Sequence, residues 1–403
     1  MSSKNNGHFL MHRGKREDST MASLTIINAR AVIGGAVRKC NLKVVDGKIK
    51  GIMPPGDTYG KTFDARENLI LPGFIDIHTH GANGVDFNHA EAKDVRGVRD
   101  FFASQGTTTF LPAIMTDTEE NMLRSILSVV QAKNTLKCSQ IYGIHLEGPF
   151  LDAAYKGAMP EELLQPCSYP LFKRLQDASG GQIRLITLSP ELEGAAELTK
   201  RLSMEGVRVS LGHSGADYET AVRCIEAGAI SATHTFNAMK PLHHHAPAIT
   251  TAVLESDGYC EAICDGKHLH PAVFRLLLKT KGLGRVIAVT DSMMAAGMRE
   301  GIYKLGNNNV VVRGGEAKIM GTDVHAGSIL TTIQALRNMM EFTGLPVEKV
   351  VPLLTENPAR MLGIFHRKGS LDVGKDADMV MLDDKYRVLA TFSEGELLYQ
   401  AGK

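Results

Sequence analysis

Between residues 73 and 292 the chain repeats one rhythm, a short apolar run followed by a longer stretch. The runs are "GFIDIH", "TTTFLPAI", "IYGIHLEG", "IRLITLSP", "VRVSLGHS", "AISATHTF", "YCEAICDG" and "RVIAVTDS". Each has the length of a buried strand. Helical patterns occupy 94–104, 119–132, 192–204, 218–227 and 271–280. Alternating strands and helices call for a parallel sheet with helical crossovers, and eight strands predict an α/β fold of the (β/α)8 TIM-like barrel type. A doubly wound sheet is the alternative, but it does not place chemistry at the end of nearly every strand.

The C-terminal ends of barrel strands converge on one face, where active sites sit. The first run ends in His78 and His80, which share a face because strand residues two apart point the same way. The third ends in Glu147, the fifth in His213, the sixth in His234, the seventh in His268 and the eighth in Asp291. Each alone has an ordinary reading. A strand-end histidine is usually just hydrogen-bonded, and Glu147 or Asp291 suits a helix cap. The triplet His243, His244, His245 suits a solvated loop, and Met293 and Met294 suit packing. Together on one ring, the strand-end residues predict a metal site. Imidazole and carboxylate without thiolate suit a divalent zinc, iron, manganese, cobalt or nickel ion, and such sets serve to activate water. Asp291 is the natural general base, and His268 can orient or polarise a substrate carbonyl.

The 403 residues accommodate a barrel and a satellite domain. A formal net charge of +1 supplies no basic field for nucleic acid or an acidic membrane, and no apolar run is long enough to span a bilayer. Cys40, Cys138, Cys167, Cys224, Cys260 and Cys264 are scattered without a C-x-x-C pair, which reads as thiols of a reducing compartment. Residues 1–20 are polar and are expected to be a disordered extension, with Met21 a natural beginning of the fold. Alternating patterns from 24 to 52 predict strands, with a hairpin turn at Asp46-Gly47. Short strands return after residue 369. Residues 21–72 plus 369–403 are therefore expected to form one small β-sandwich domain, and 73–368 the barrel. "GIYKLGNNNVVVRGGEAKIM" predicts a small β excursion, followed by helices near 328–342, 347–354 and 358–362.

"PGFIDIHTHG", the strand-end ligands and the closing "GSLDVGKDADMVMLD" resemble the amidohydrolase superfamily. "HLEGPF", "KGA", "LGHS", "THTFNAM", "DGKH", "VTDSM" and "AGS", in that order, look like the N-acetylglucosamine-6-phosphate deacetylase family. The resemblance covers the chain from about Leu24 onward. It implies a metal held by Glu147, His213 and His234, with Asp291 near the metal as catalytic acid/base. It implies a sugar site that includes Ala158, Asn237, Ala238, His268 and the turn Ala326-Gly327. It also implies a cytoplasmic homodimer acting on a small amino sugar. Some members replace the H-x-H pair with Gln and Asn and hold one ion. This chain keeps His78 and His80, which implies a second ion with Glu147 bridging. Relatives that bridge with a modified lysine carry it after the fourth strand, and here that strand ends "TLSP".

The chain departs from the family pattern at the phosphate. After "FNAM" the family continues to an H-R-[DE]-P-G segment whose arginine reaches the phosphate, often across a dimer interface. Here "HHHAPA" stands there, so His245 replaces arginine and Ala246 the acid. Met159 follows "KGA", where the family often has a polar residue. Either the three histidines hold a phosphate together, or the site takes an unphosphorylated sugar, an N-acetylgalactosamine phosphate or another N-acyl compound. The other sugar-site motifs are intact and favour a phosphosugar. A different amidohydrolase, such as a dipeptidase or nucleobase deaminase, is opposed by "HTFNAM" and "DGKH". A barrel that has lost catalysis is opposed by the complete set of ligands and Asp291.

Overall fold

The computed structural model describes residues 23–135 and 140–402. The expected N-terminal extension and Cys138 lie outside them. All eight apolar runs become strands: Phe74–Thr79, Thr107–Met115, Ile144–Glu147, Ile183–Leu188, Arg208–Leu211, Ser231–Ala232, Tyr259–Ile263 and Val286–Val289. They pair in parallel in chain order. The seam between the first and the eighth is closed by the main chain of site residues. Asp291 N donates to His78 O at 2.8 Å, and His80 N donates to Ser292 O at 2.7 Å. Below the seam, the Asp76 carboxylate accepts from Thr290 Oγ1 at 2.6 Å. Burial pushes Asp76 up to about 6, against the hydrogen bonds from Thr290 and His78 N that favour the carboxylate.

Helices cover the barrel where the spacing predicts them, among them Val95–Ser104, Glu119–Thr135, Ala195–Met204, Tyr218–Glu226 and Pro271–Lys281. The helix Tyr169–Ala178, which the pattern did not single out, starts at a Ser168 cap with Pro170 in its first turn. Between barrel and helices lies one continuous apolar core. Phe110 is fully buried at its centre, stacked at 6.3 Å on Phe87 and edge-on to Phe102 at 5.0 Å.

Strands from the two ends of the chain join one mixed eight-stranded sheet. Leu69–Pro72 runs antiparallel to Met379–Leu382 on one side and parallel to Ser23–Ile33 on the other. The Asp46-Gly47 turn has positive φ at both positions (51° and 73°), the geometry of a tight type I′ hairpin. The sheet curls until its wings meet. Ala377 N donates to Gly47 O at 2.8 Å, and Ile26, Leu42, Ile49, Met379 and Phe392 are buried between the wings. The chain passes from this sheet into the first barrel strand through Gly73, whose N–H donates to Asp378 O.

After the eighth strand, Gly301–Leu305, Asn308–Arg313 and Glu316–Ile319 form a three-stranded antiparallel flap, as the pattern predicts. It stands over the mouth of the barrel. Gly306 N donates to the Asp86 carboxylate at 2.7 Å, and Asn308 Nδ2 donates to Ala158 O at 2.7 Å.

Candidate active site

The strand-end residues meet. His213 Nε2 and His234 Nε2 lie 3.1 and 3.2 Å from Glu147 Oε1, and 3.0 Å from each other. His80 Nε2 lies 3.2 Å from Glu147 Oε2, 3.2 Å from Asp291 Oδ1 and 3.3 Å from His78 Nε2. Two trios share the carboxylate: His78, His80, Glu147 and Glu147, His213, His234, all buried. Three of these residues sit at strand exits with strained backbone, His213 at φ 49°, His234 at 29° and Asp291 at 49°. Such strain in non-glycine residues clusters at functional sites. Two glycines make room. A Cβ on Gly157 would stand 3.2 Å from His213 Cε1, and one on Gly327 would stand 3.0 Å from Asp291 O.

Proton bookkeeping tests whether these residues fit a metal. His213 Nδ1 faces the Tyr155 carbonyl at 3.1 Å, and His78 Nδ1 faces Glu261 Oε2 at 3.1 Å. A neutral imidazole has one N–H, so both rings donate there and turn an Nε2 lone pair inward. Those lone pairs meet other imidazole nitrogens and a carboxylate oxygen, an arrangement that a bound cation at its centre satisfies. Nitrogens about 3.3 Å apart are what a tetrahedral ion with metal–nitrogen bonds of about 2.0–2.1 Å requires. The residues fit a divalent metal ion. Electrostatics agree. Burial alone lowers a histidine pKa, but Asp291 and Glu147 outweigh it and lift His80 to about 9. Burial opposes ionisation of Asp291, yet His78 and His80 draw it down to about 2.

A cavity of about 300 Å³ opens above the cluster, the size for one small ligand. His80, Glu147, His213, His234 and Asp291 form its base, and Ala158, Asn237, Ala238, His268 and Gly327 line it. Ala326 is fully buried behind Gly327 in the apolar cluster under the flap. Met159 lines the cavity with Leu305 and is 3% exposed within the same cluster. His245 is different. It lies on an exposed loop outside the cavity, its ring 3.9 Å from that of His244.

Several residues at the site are not singled out by the strand-end pattern. His268 Nδ1 faces Asp265 Oδ2 at 2.7 Å, and Asp265 Oδ1 accepts from the main-chain nitrogens of Lys267 and His268. Burial lowers the His268 pKa, but the Asp265 bond and charge outweigh it, and the net direction is up. His325 lines the cavity and packs its ring 4.7 Å from that of His268. His145 lies below the cluster, its ring 4.5 Å from that of His78 and its Nε2 2.8 Å from Thr187 Oγ1. The spacing of "DGKH" and the alternation of His145 with Glu147 could have flagged Asp265 and His145.

Residues 69–398 match the Amidohydrolase family. The curated N-acetylglucosamine-6-phosphate deacetylase of Bacillus subtilis (strain 168) is 35% identical over 389 residues, covering 94% of this chain and 98% of its own. The crystal structure of the Pasteurella multocida N-acetylglucosamine-6-phosphate deacetylase superposes with a TM-score of 0.88 at 31% identity, over 93% of this chain and 99% of its own. The protein belongs to the N-acetylglucosamine-6-phosphate deacetylase family of amidohydrolases. A Mycobacterium smegmatis deacetylase, a mutant solved in complex with N-acetyl-D-glucosamine-6-phosphate, superposes with a TM-score of 0.87 at 30% identity, over 94% of this chain and 100% of its own. Among the described residues no helix is long and apolar enough to cross a membrane.

Proposed function

We propose that the protein hydrolyses N-acetylglucosamine 6-phosphate to glucosamine 6-phosphate and acetate. The observation that carries this reading is the Glu147, His213, His234 cluster with Asp291 beside it at the floor of a sugar-sized cavity. Glu147, His213 and His234 would hold one divalent ion, and His78 and His80 a second, with Glu147 shared by the two trios and Asp291 alongside. Divalent ions bound there would supply Lewis acidity and would ease deprotonation of water near neutral pH. Asp291, ionised at neutral pH, takes the proton of the attacking water and delivers it to the amide nitrogen as the C–N bond breaks. Asp265 orients the His268 ring and shifts its pKa upward, which favours the protonated form that donates from Nε2 to the acetamide oxygen. Ala158, Asn237, Ala238 and the Ala326-Gly327 turn shape the sugar pocket.

The chemistry belongs to residues 73–368, with 21–72 plus 369–403 as the β-sandwich unit. The protein acts as a cytoplasmic homodimer, in which the His243–His245 loop serves the phosphate from outside the cavity of its own chain. The exposure of that loop supports this role. A second reading, a substrate without the 6-phosphate or with galacto configuration, is favoured by His245 and Met159 standing where polar, arginine-bearing motifs are usual. Release of acetate and free amino sugar phosphate in equal amounts from N-acetylglucosamine 6-phosphate tests the main reading. Failure of purified, metal-supplied protein to release either contradicts it.

A further inference from the structure

The two trios at the site are joined by more than Glu147. Glu261 lies on the seventh barrel strand with no exposed surface, inside an otherwise apolar run. Its Oε2 accepts from His78 Nδ1 at 3.1 Å and from the main-chain nitrogen of His234 at 3.2 Å. One carboxylate oxygen therefore touches one member of each trio. A buried charge in an apolar strand is costly unless it is paired, and nothing in the catalytic steps uses Glu261.

We infer that Glu261 is a positioning residue that sets the affinity of the ion held by His78 and His80. The contact with His78 is through the ring. It keeps the proton on Nδ1 and turns the Nε2 lone pair into the cluster, and it fixes the ring plane. A carboxylate behind a ligating imidazole also raises its basicity, and loss of such a partner typically weakens metal binding about 10–100-fold. The contact with His234 is through the main chain alone, so the ring of His234 depends on it less. Charge argues the same way. Two divalent ions would be met by only two ligand carboxylates, Glu147 and Asp291, and Glu261 places a third carboxylate behind His78, on the side of the second ion.

This inference rests on the two-ion reading, and one titration separates the two. Chelator-treated wild-type protein and Glu261→Gln are titrated with Zn²⁺, with bound ions counted by elemental analysis. Wild type is expected to take two ions. The variant is expected to take the first with little change and the second about 10–100-fold more weakly. Two ions bound by the variant with wild-type affinities overturn the role of Glu261 and leave the two-ion reading standing. A single ion in wild type overturns both. Should the variant fail to fold, ¹⁵N resonances of histidine rings in zinc-loaded wild type decide the matter. A proton on His78 Nδ1 and metal on Nε2 supports the role, and the reverse overturns it.

Discussion

His213 Nε2 and His234 Nε2 face each other at 3.0 Å across the Glu147 carboxylate, each ring arriving from a different barrel strand at a backbone angle that few non-glycine residues adopt. The fold spends strain to hold two imidazole nitrogens at a spacing that suits a metal ion.

The two trios are predicted to be unequal in their loss. His78→Ala with His80→Ala should lower the bound metal from two ions per chain to one and leave measurable turnover. His213→Ala should remove the catalytic ion and reduce turnover far more. Elemental analysis beside acetate release checks this, and unchanged stoichiometry in the double variant contradicts the second site.

Asp291→Asn keeps the shape of the side chain and loses the proton carrier. It is expected to bind substrate with a similar KM-range affinity and to turn over at least ~100-fold more slowly, the usual loss for a positioned acid/base. Near-normal kcat would show that another group carries the proton.

The Asp265–His268 pair predicts a pH dependence. Pairing raises the His268 pKa, so the doubly protonated ring persists above the usual histidine range and is lost as pH rises through the raised value. The alkaline limb of kcat/KM should therefore move to lower pH in Asp265→Asn. The same pairing stabilises the fold fully below the unfolded histidine pKa of about 6.5, and that contribution disappears as pH rises through the folded value. An unmoved alkaline limb would remove His268 from the reaction.

Much of this was legible in the chain, and the rest was hidden for a physical reason. Strand ends, ligands and Asp291 show in sequence because each follows a local pattern: an apolar run, then a polar residue at its exit. Glu261 does not show, because its meaning lies in a partner 183 residues away, on the first barrel strand. His325 and Met159 gain theirs from a flap that folds back over the mouth. His245 carries its residue type in the sequence, but only the structure reveals that its loop turns to solvent rather than into the cavity of its own chain.

Histidine is only partly protonated near pH 7, whereas arginine grips phosphate at any ordinary pH. The preference for the 6-phosphate, measured as the ratio of kcat/KM with and without it, should fall as pH rises through the histidine range. His245→Arg should raise the ratio and flatten its pH dependence. Equal efficiency on free N-acetylglucosamine would refute phosphate recognition, and the galacto epimers belong in the same comparison.

Acetate release from N-acetylglucosamine 6-phosphate, followed before chelation, after chelation and after a divalent ion is restored, tests the metal-dependent deacetylase directly. The site described here predicts full release, then loss to near background, then recovery, with the metal bound to Glu147, His213 and His234 returning in step. Release that survives complete removal of metal, or that never occurs in fully loaded protein, would contradict it.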